Sequence, residues 1–217
     1  MPLLLFENLS SNPTVACVFQ TYAIAPAGAA PTAWQARRAL PNAFWKTFWN
    51  ESYSFVWSQT QKKPDGSFVT TGQIVAADPA GKNTATLTYA DRSYSIVNVR
   101  TGGVAGTITI DQDGLVPALL ASAGIGMANA PACTVPVQPN LPLKFGTAPR
   151  YWITVGDYTS GTPLDPARAL PQKELVYANN VEALYVALQP DNTLSTPLPI
   201  DPNTLAARFR DFMTSRI

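Results

Sequence analysis

Turn-forming residues interrupt this chain so often that they argue against long helices over most of its length. Twenty prolines are spread along the 217 residues, and proline removes a backbone donor and clashes with the preceding helical turn. Turn signals recur at short intervals: SSNP (10–13), KKPDGS (62–67), DPAGKN (78–83), RTGG (100–103), DQDG (111–114) and QPDN (189–192). Short β-rich runs between such turns are typical of a sandwich or barrel. The sequence therefore predicts an all-β protein, an antiparallel β-sandwich.

Several runs alternate between apolar and polar residues, as half-buried strands do. Residues 84–89 and 93–99 place Thr or Ser on one face, which predicts a hairpin that turns at 90–92. Residues 3–6 predict an N-terminal strand, and the more continuously apolar run 151–155 predicts a deeper one.

The C-terminal stretch DPNTLAARFRDFMTSRI is the exception. Asp201 suits a helix N-cap and Pro202 the first helical position. An interface stripe follows at helical spacing, made of Leu205, Phe209, Phe212 and Met213. We expect a sandwich domain over 1–196 and a helical extension over 197–217. The apolar stripe must be covered either by its own sandwich or by a neighbouring subunit.

The most aromatic stretch is FWKTFWNESYSFVW, residues 44–57. Aromatic rings at 53, 55 and 57 indicate a strand with one aromatic face. Upstream, Trp45 and Trp49 would share a strand face and Phe44 and Phe48 the other, with a hairpin turn at 50–51; a helix over 43–49 also fits locally. Most of these rings should fill a core.

A ligand platform would instead need rings exposed beside polar groups. Trp45 and Trp49 are the first candidates for an exposed ring. The full set of predicted ligand-binding residues, for a glycan or another small ligand, is Trp34, Gln35, Trp45, Trp49, Asp157 and Tyr158.

The sequence contains few of the residues and motifs that catalysis commonly requires. The chain has no histidine, which removes the common triads and zinc sites. Gly124 and Gly126 resemble the start of a dinucleotide-binding motif, but the third glycine is missing, so this stretch predicts a tight turn. The DQDG stretch lacks the rest of a calcium-binding loop and predicts a hairpin turn. Asp157 and Asp165 could serve as a glycosidase pair, although nothing marks them. We expect no enzyme, no cofactor and no metal site.

The charge and hydropathy of the chain limit the kinds of partner that it can bind. Fifteen basic and fourteen acidic side chains give a net charge of +1, and charged residues make up only 13% of the chain. This balance predicts no nucleic-acid partner and leaves little repulsion between copies, so homo-oligomers form more easily. No apolar window is long enough for a membrane span.

The N-terminus and the cysteines bear on localisation. The apolar start lacks the basic flank of a signal peptide, so we expect a cytoplasmic protein; release by a route that needs no signal peptide stays open. Cys17 and Cys133 are expected to be reduced and buried.

Five stretches together resemble the RhiA family of bacterial rhizosphere-expressed proteins. They are ENLSSNPTVACVFQ, AWQ (33–35), YSFVWSQT, AGIGMANAPACTVPVQPNLPLKF and PRYWITVGDYTSGTPLD. The resemblance spans about residues 5–195 and implies an abundant, soluble protein of root-associated bacteria, regulated by cell density through quorum sensing. It transfers no molecular activity and no catalytic residue, and residues 197–217 look like an extension.

Two functions therefore compete. The first is a non-enzymatic protein that assembles with itself into oligomers, filaments or inclusions, because its surface is weakly charged and its strands offer free edges. The second is a lectin-like module that binds a glycan or small ligand through exposed aromatic rings.

Overall fold

A computed structural model describes residues 1–63, 68–178 and 181–201, without the side chains of residues 62 and 68. Over these residues the chain forms strands and no helix, so the all-β prediction is confirmed. No helix in the described part could cross a membrane. The predicted C-terminal helix, with Leu205, Phe209, Phe212 and Met213, lies outside the described residues.

The strands are short and follow one another along the whole chain. Their bounds are β1 Leu3–Asn8, β2 Thr14–Tyr22, β3 Ala30–Pro31, β4 Gln35–Ala39, β5 Phe44–Phe48, β6 Tyr53–Lys62, β7 Phe68–Ala76, β8 Thr84–Ala90, β9 Ser93–Arg100, β10 Thr107–Gln112, β11 Ser122–Met127, β12 Ala130–Pro136, β13 Leu143–Gly146, β14 Pro149–Gly156, β15 Gln172–Leu175, β16 Ala183–Leu188 and β17 Leu198–Pro199.

These strands form four sheets with the orders β17-β16-β1-β5, β15-β14-β2-β4, β3-β12-β11-β6-β7 and β13-β10-β8-β9. Most pairs are antiparallel, but β1 with β16 and β8 with β10 are parallel. The predicted antiparallel pairing therefore holds for most strands but not for these two pairs. Both parallel pairs join strands that are distant or separated by another strand in sequence, and such crossovers leave no local signal.

One core joins all four sheets. Phe6 of β1, Val18 of β2, Phe55 of β6 and Ile110 of β10 are fully buried members of the same cluster. A smaller cluster lies on the opposite side of β2, where Cys17 and Phe19 pack with Leu164 and Ala169. The sheet β15-β14-β2-β4 is thus covered on both faces, which explains the nearly continuous apolar character of β2 and β14.

The predicted hairpin of β8 and β9 is confirmed. Asp91 and Arg92 both have positive φ, 50° and 61°, as a two-residue type I′ turn requires. The predicted strands 3–6 and 151–155 are also present, as β1 and β14.

The predicted hairpin of residues 44–49 and 53–57 was wrong. Both strands exist, but β5 pairs with β1, where Trp45 faces Phe6, and β6 pairs with β7 and β11. Residues 49–52 therefore connect two sheets. Trp45 and Phe55 still reach the same core from different sheets, so burial of the aromatic rings rather than a local turn selects the strand partners.

The glycines 124 and 126 were wrongly predicted to form a tight turn, because they lie inside β11. A Cβ on Gly124 would lie 2.0 Å from the Cys133 carbonyl oxygen, and one on Gly126 would lie 2.4 Å from the Ser54 hydroxyl. Glycine is needed here for the close approach of neighbouring strands.

The DQDG stretch is a turn but not a hairpin, which corrects a second local prediction. Asp113 accepts a hydrogen bond from the backbone of Leu115 at 2.9 Å. The turn leads from β10 to β11, and these two strands belong to different sheets.

Candidate functional site

The tryptophans predicted to bind a ligand lie in the core. Trp34, Trp45 and Trp49 are only 3%, 5% and 1% exposed. The expectation of an exposed ring at Trp45 or Trp49 was therefore wrong, and the expectation that most rings fill the core is confirmed. On the same strand it is Phe48 that faces outward, with 61% of its surface exposed.

The remaining predicted ligand residues lie nearer the surface. Gln35 is half-buried and accepts a hydrogen bond from the Thr47 hydroxyl. Asp157 is exposed, whereas Tyr158 packs partly against the smaller cluster. The loop that follows Tyr158 lies beside β4, since the Ser160 hydroxyl accepts from the Ala36 backbone at 3.2 Å. The six residues thus divide among the core (Trp34, Trp45 and Trp49), strand β4 (Gln35) and one loop (Asp157 and Tyr158).

The buried rings form a packed cluster. The ring centre of Trp49 lies 5.4 Å from Trp34, 5.2 Å from Tyr151 and 5.7 Å from Tyr177. The Trp34 indole donates to the Met127 carbonyl at 2.9 Å. The Trp49 indole nitrogen is buried and has no hydrogen-bond partner among residues 1–63, 68–178 and 181–201. These rings are close enough for edge-to-face packing, and they leave no face open to a ligand.

Buried hydroxyl groups in this cluster are not proton-transfer groups near neutral pH. Tyr53 donates to the Thr147 carbonyl at 2.6 Å and Tyr177 to the Leu3 carbonyl at 3.0 Å. Burial raises the pKa of both hydroxyls, and it also raises the pKa of the Tyr151 hydroxyl. At Tyr151 the nearby Trp49 indole opposes this rise, although the contact between the two groups does not have the geometry of a hydrogen bond. All three therefore stay protonated.

The two cysteines are free and buried, as expected. Burial raises the pKa of Cys17 and of Cys133 to about 12 in each case. Since the thiolate is the nucleophile and the metal ligand, neither side chain is activated for chemistry. In the described ranges, no three metal-binding side chains are grouped together.

The most unusual surface is a hairpin formed by β6 and β7. Its outer half, residues 59–62 with 68–72, is called the β6–β7 arm below. Thr60 and Thr70 face each other across the arm with their hydroxyls 2.9 Å apart. None of residues 69–76, all of them described, is buried. The arm therefore extends past the core that supports the rest of its sheet.

The far side of β7 is an open sheet edge, because β7 ends its sheet and pairs with β6 alone in the described part of the chain. Ala77 donates to the Tyr53 carbonyl at 3.0 Å, which fixes the alternation of hydrogen-bonded pairs. The backbone groups of Thr70, Gly72 and Ile74 then point to the open side. From 68 to 77 the sequence FVTTGQIVAA has no charged residue and no proline.

Gln73 holds this edge in place. Its side-chain oxygen accepts from the Ile96 backbone at 2.8 Å and from the Trp57 indole at 3.2 Å. Because Ile96 belongs to β9, the bond links the edge strands of two different sheets. The inner half of β7 is thus tied to the core while its outer half is exposed.

A shallow groove of about 530 Å³ adjoins the arm. Hydroxyl groups line it from four strands and one loop, and none of its described lining residues is charged. The hydroxyls belong to Ser58, Thr60, Thr70, Ser122, Thr134, Thr159, Ser160 and Thr162. Leu119 and Leu120 stand at its rim, 67% and 59% exposed. The groove suits a neutral ligand better than an ionic one.

Sequence reasoning missed the β7 edge. The turn predicted at KKPDGS lies mostly outside the described residues, between the antiparallel strands β6 and β7. The signal that could have directed attention to β7 is the uncharged run from 68 to 77. Nothing in that run says which strand ends the sheet.

Comparison with known proteins gives two matches. The family model described as RhiA matches residues 3–196. Protein RhiA of Rhizobium leguminosarum bv. viciae is 32% identical over 197 residues, covering 88% of this chain and 83% of its own length. No solved structure matches the chain significantly.

Proposed function

The chain belongs to the RhiA family, and we propose that it is a non-enzymatic protein that assembles with copies of itself through the open edge of β7. In this proposal each protomer is a β-sandwich, and the edge backbone of one copy pairs with a second copy. The carrying observation is the uncharged, proline-free edge with outward-pointing backbone groups at Thr70, Gly72 and Ile74.

Open edges are usually blocked in monomeric proteins. Charged side chains, proline, bulges or a covering loop prevent an exposed strand from pairing with another chain. From residue 69 to 76 the β7 edge has no charge or proline, and its register with β6 shows no bulge. Such an edge supports strand addition, in which the main chain supplies the hydrogen bonds.

The arm itself favours a partner. A two-stranded hairpin has little stability in water unless another element packs on it. Val69 and Ile74 are 36% and 44% exposed, so pairing would bury apolar surface as well as backbone. A net charge of +1 leaves little repulsion to oppose the contact.

Hydrogen exchange tests this contact directly. Because the amides of Thr70, Gly72 and Ile74 have no strand partner among the described residues of one copy, they should exchange quickly in dilute protein. Their exchange should slow as the concentration rises, while that of Gln73, already held in the ladder, should change little. Equal exchange rates at all concentrations would argue against assembly through β7.

The second candidate function, glycan binding, is favoured by the hydroxyl-lined groove. Thr134 and Ser122 lie on its floor strands and Ser160 on its loop, where they could bond the hydroxyls of a neutral sugar. Calorimetric titration with plant and bacterial polysaccharides tests it. Binding that is lost in Thr134→Val would support this function, and the absence of heat across the panel would exclude it for those sugars.

A further inference from the structure

The sheet β17-β16-β1-β5 has a second apolar face. Leu4 and Phe6 point into the main core. Successive residues of a strand point to opposite faces, so Leu3 and Leu5 face the other way. Leu5 is only 1% exposed, yet it joins neither cluster of buried side chains formed by the described residues.

Neighbouring strands continue this face. Leu3 is in register with Phe48 on one side and with Ala183 on the other. Ile200, which directly follows β17, donates to the Ala183 carbonyl at 3.1 Å and extends the row. Leu198 lies in the next row, opposite Tyr185, which pairs with Leu5. We call this surface the outer face.

The outer face is mostly apolar, although Lys46 lies in the row of Leu5 and Glu7 lies two residues further along β1. Phe48 and Leu198 stand on its two sides with 61% and 53% of their surfaces exposed. Between them lie Leu3, Leu5 and Ala183 on the inner strands. Adjoining large apolar side chains of this kind normally mark a surface that another element covers.

The chain leaves the described structure at this face. Ile200 is in the first row, and Asp201 is the last described residue of this part. Sixteen residues follow, with the apolar stripe Leu205, Phe209 and Phe212 at helical spacing. Only residues 201–204 therefore separate Ile200 of the face from Leu205, the first residue of the stripe.

The length of the predicted helix agrees with the dimensions of the outer face. Sixteen residues form a helix of about 24 Å, at about 1.5 Å a residue. Four strands spaced by about 4.8 Å span roughly 14 Å, and a six-residue strand is about 20 Å long. A helix that starts beside β17 can thus cross the face to Phe48 or run along β1.

We propose that residues 202–217 fold back as an amphipathic helix on the outer face of their own molecule. A direct connection at Asp201 keeps the stripe close to the face at all times, whereas a second copy must be recruited from solution. This inference is independent of the assembly through β7. It assigns the C-terminal segment to the protomer's own surface and leaves β7 as the contact between copies.

Photocrosslinking of the full chain tests the location. Benzoylphenylalanine replaces Phe209 in one variant and Phe212 in another, so an aromatic side chain is kept at each position. We expect crosslinks to peptides that contain Leu3–Asn8, Phe44–Phe48 or Ala183–Leu188, in a product with the mass of one chain. Crosslinks to other surfaces, crosslinks found only at twice that mass, or no crosslinks would each overturn the proposal.

Limited trypsin digestion of matched variants gives a second measurement. Phe209→Asp places a charge in the apolar stripe, whereas Ala207→Asp places the same charge on the opposite side of the predicted helix. Cleavage at Arg208 and Arg210 should become about tenfold faster in Phe209→Asp, a ratio equivalent to about 1.4 kcal/mol. It should change little in Ala207→Asp. Equal rates in the two variants, with the rest of the chain intact, would contradict a packed stripe.

Discussion

Trp34 and Trp49 lie edge to face in the core, with ring centres 5.4 Å apart and planes at 80°, but within the described part of the chain only one of the two indoles makes a hydrogen bond. Trp34 donates to the Met127 carbonyl at 2.9 Å, and the Trp49 nitrogen is buried with no acceptor among those residues. A buried donor without a hydrogen bond lowers the stability of the fold, whereas a buried donor with a hydrogen bond does not carry this cost. The two indole rings therefore pack in the same way but differ in whether their N–H group is hydrogen-bonded.

This difference predicts unequal costs for the same substitution. Trp34→Phe and Trp49→Phe remove similar volumes from one cluster, but only Trp34→Phe loses a hydrogen bond. We expect Trp34→Phe to lower the free energy of unfolding by about 1 kcal/mol more than Trp49→Phe. Urea denaturation followed by circular dichroism measures both. A larger loss for Trp49→Phe would contradict this account and indicate that the Trp49 indole bonds an acceptor such as the Tyr151 hydroxyl.

The close approach of β11 and β12 predicts a severe effect of one methyl group. In Gly124→Ala the new Cβ would lie 2.0 Å from the Cys133 carbonyl oxygen, a backbone atom that cannot move aside. We expect a loss of about 3 kcal/mol, at the upper end of overpacking costs. Gly102→Ala is the matched control, because its nearest contact is 3.7 Å away, and it should cost much less. Equal urea midpoints for the two variants would contradict the strand assignment.

The buried thiols predict a loss of stability in alkali. Burial raises the pKa of Cys17 and Cys133 from 9.0 to about 12. Below pH 9 both the folded and the unfolded chain keep these protons, so the thiols add no pH dependence there. Between pH 9 and 12 only the unfolded chain releases them, which lowers the free energy of unfolding by about 1.4 kcal/mol per pH unit for each thiol.

Urea midpoints at pH 8, 9.5 and 10.5 measure this loss. Cys17→Ala and Cys133→Ala should each flatten the decline, and the buried tyrosines, whose pKa values are also raised by burial, should add to it from about pH 10 upward. A midpoint that does not fall above pH 9 would show that the thiols ionise as readily in the folded chain.

Gln73 links the edges of two sheets, so replacing it should loosen that side of the protein. Gln73→Met keeps the length of the side chain but leaves the Ile96 N–H and the Trp57 indole without their acceptor. We expect a cost of about 1–3 kcal/mol and faster hydrogen exchange at Ile96. Gln73→Glu, which retains an acceptor, is the control. Unchanged exchange at Ile96 in Gln73→Met would contradict the link.

The sequence predicted the strands better than their partners. Period-two alternation is local, and it located β6, β8 and β9, while a continuously apolar run located β14. Pairing is not local: β5 joins β1 across some forty residues of chain, and β1 joins β16 across the whole protein. Gly124 and Gly126 illustrate the same limit, because the need for glycine arises from Cys133 and Ser54, which only the fold brings close.

The candidate site was harder to predict for a related reason. The exposure of a strand depends on its position in the sheet, and the sequence of β7 does not indicate that β7 is an edge strand. Trp45 and Phe48 sit three residues apart on one strand, one buried and one exposed. The alternation separates their faces correctly, but only the packing of the sheet shows which face meets the core.

The mass of the full chain in solution tests assembly through β7 most directly. Size exclusion with light scattering should give the wild type a mass that is a multiple of 23.3 kDa. Ile74→Lys puts a charge on the open edge and should yield a monomer, whereas Val104→Lys, at a valine 63% exposed elsewhere, should assemble like the wild type. A monomeric wild type, or an Ile74→Lys variant that keeps the wild-type mass, would contradict the account.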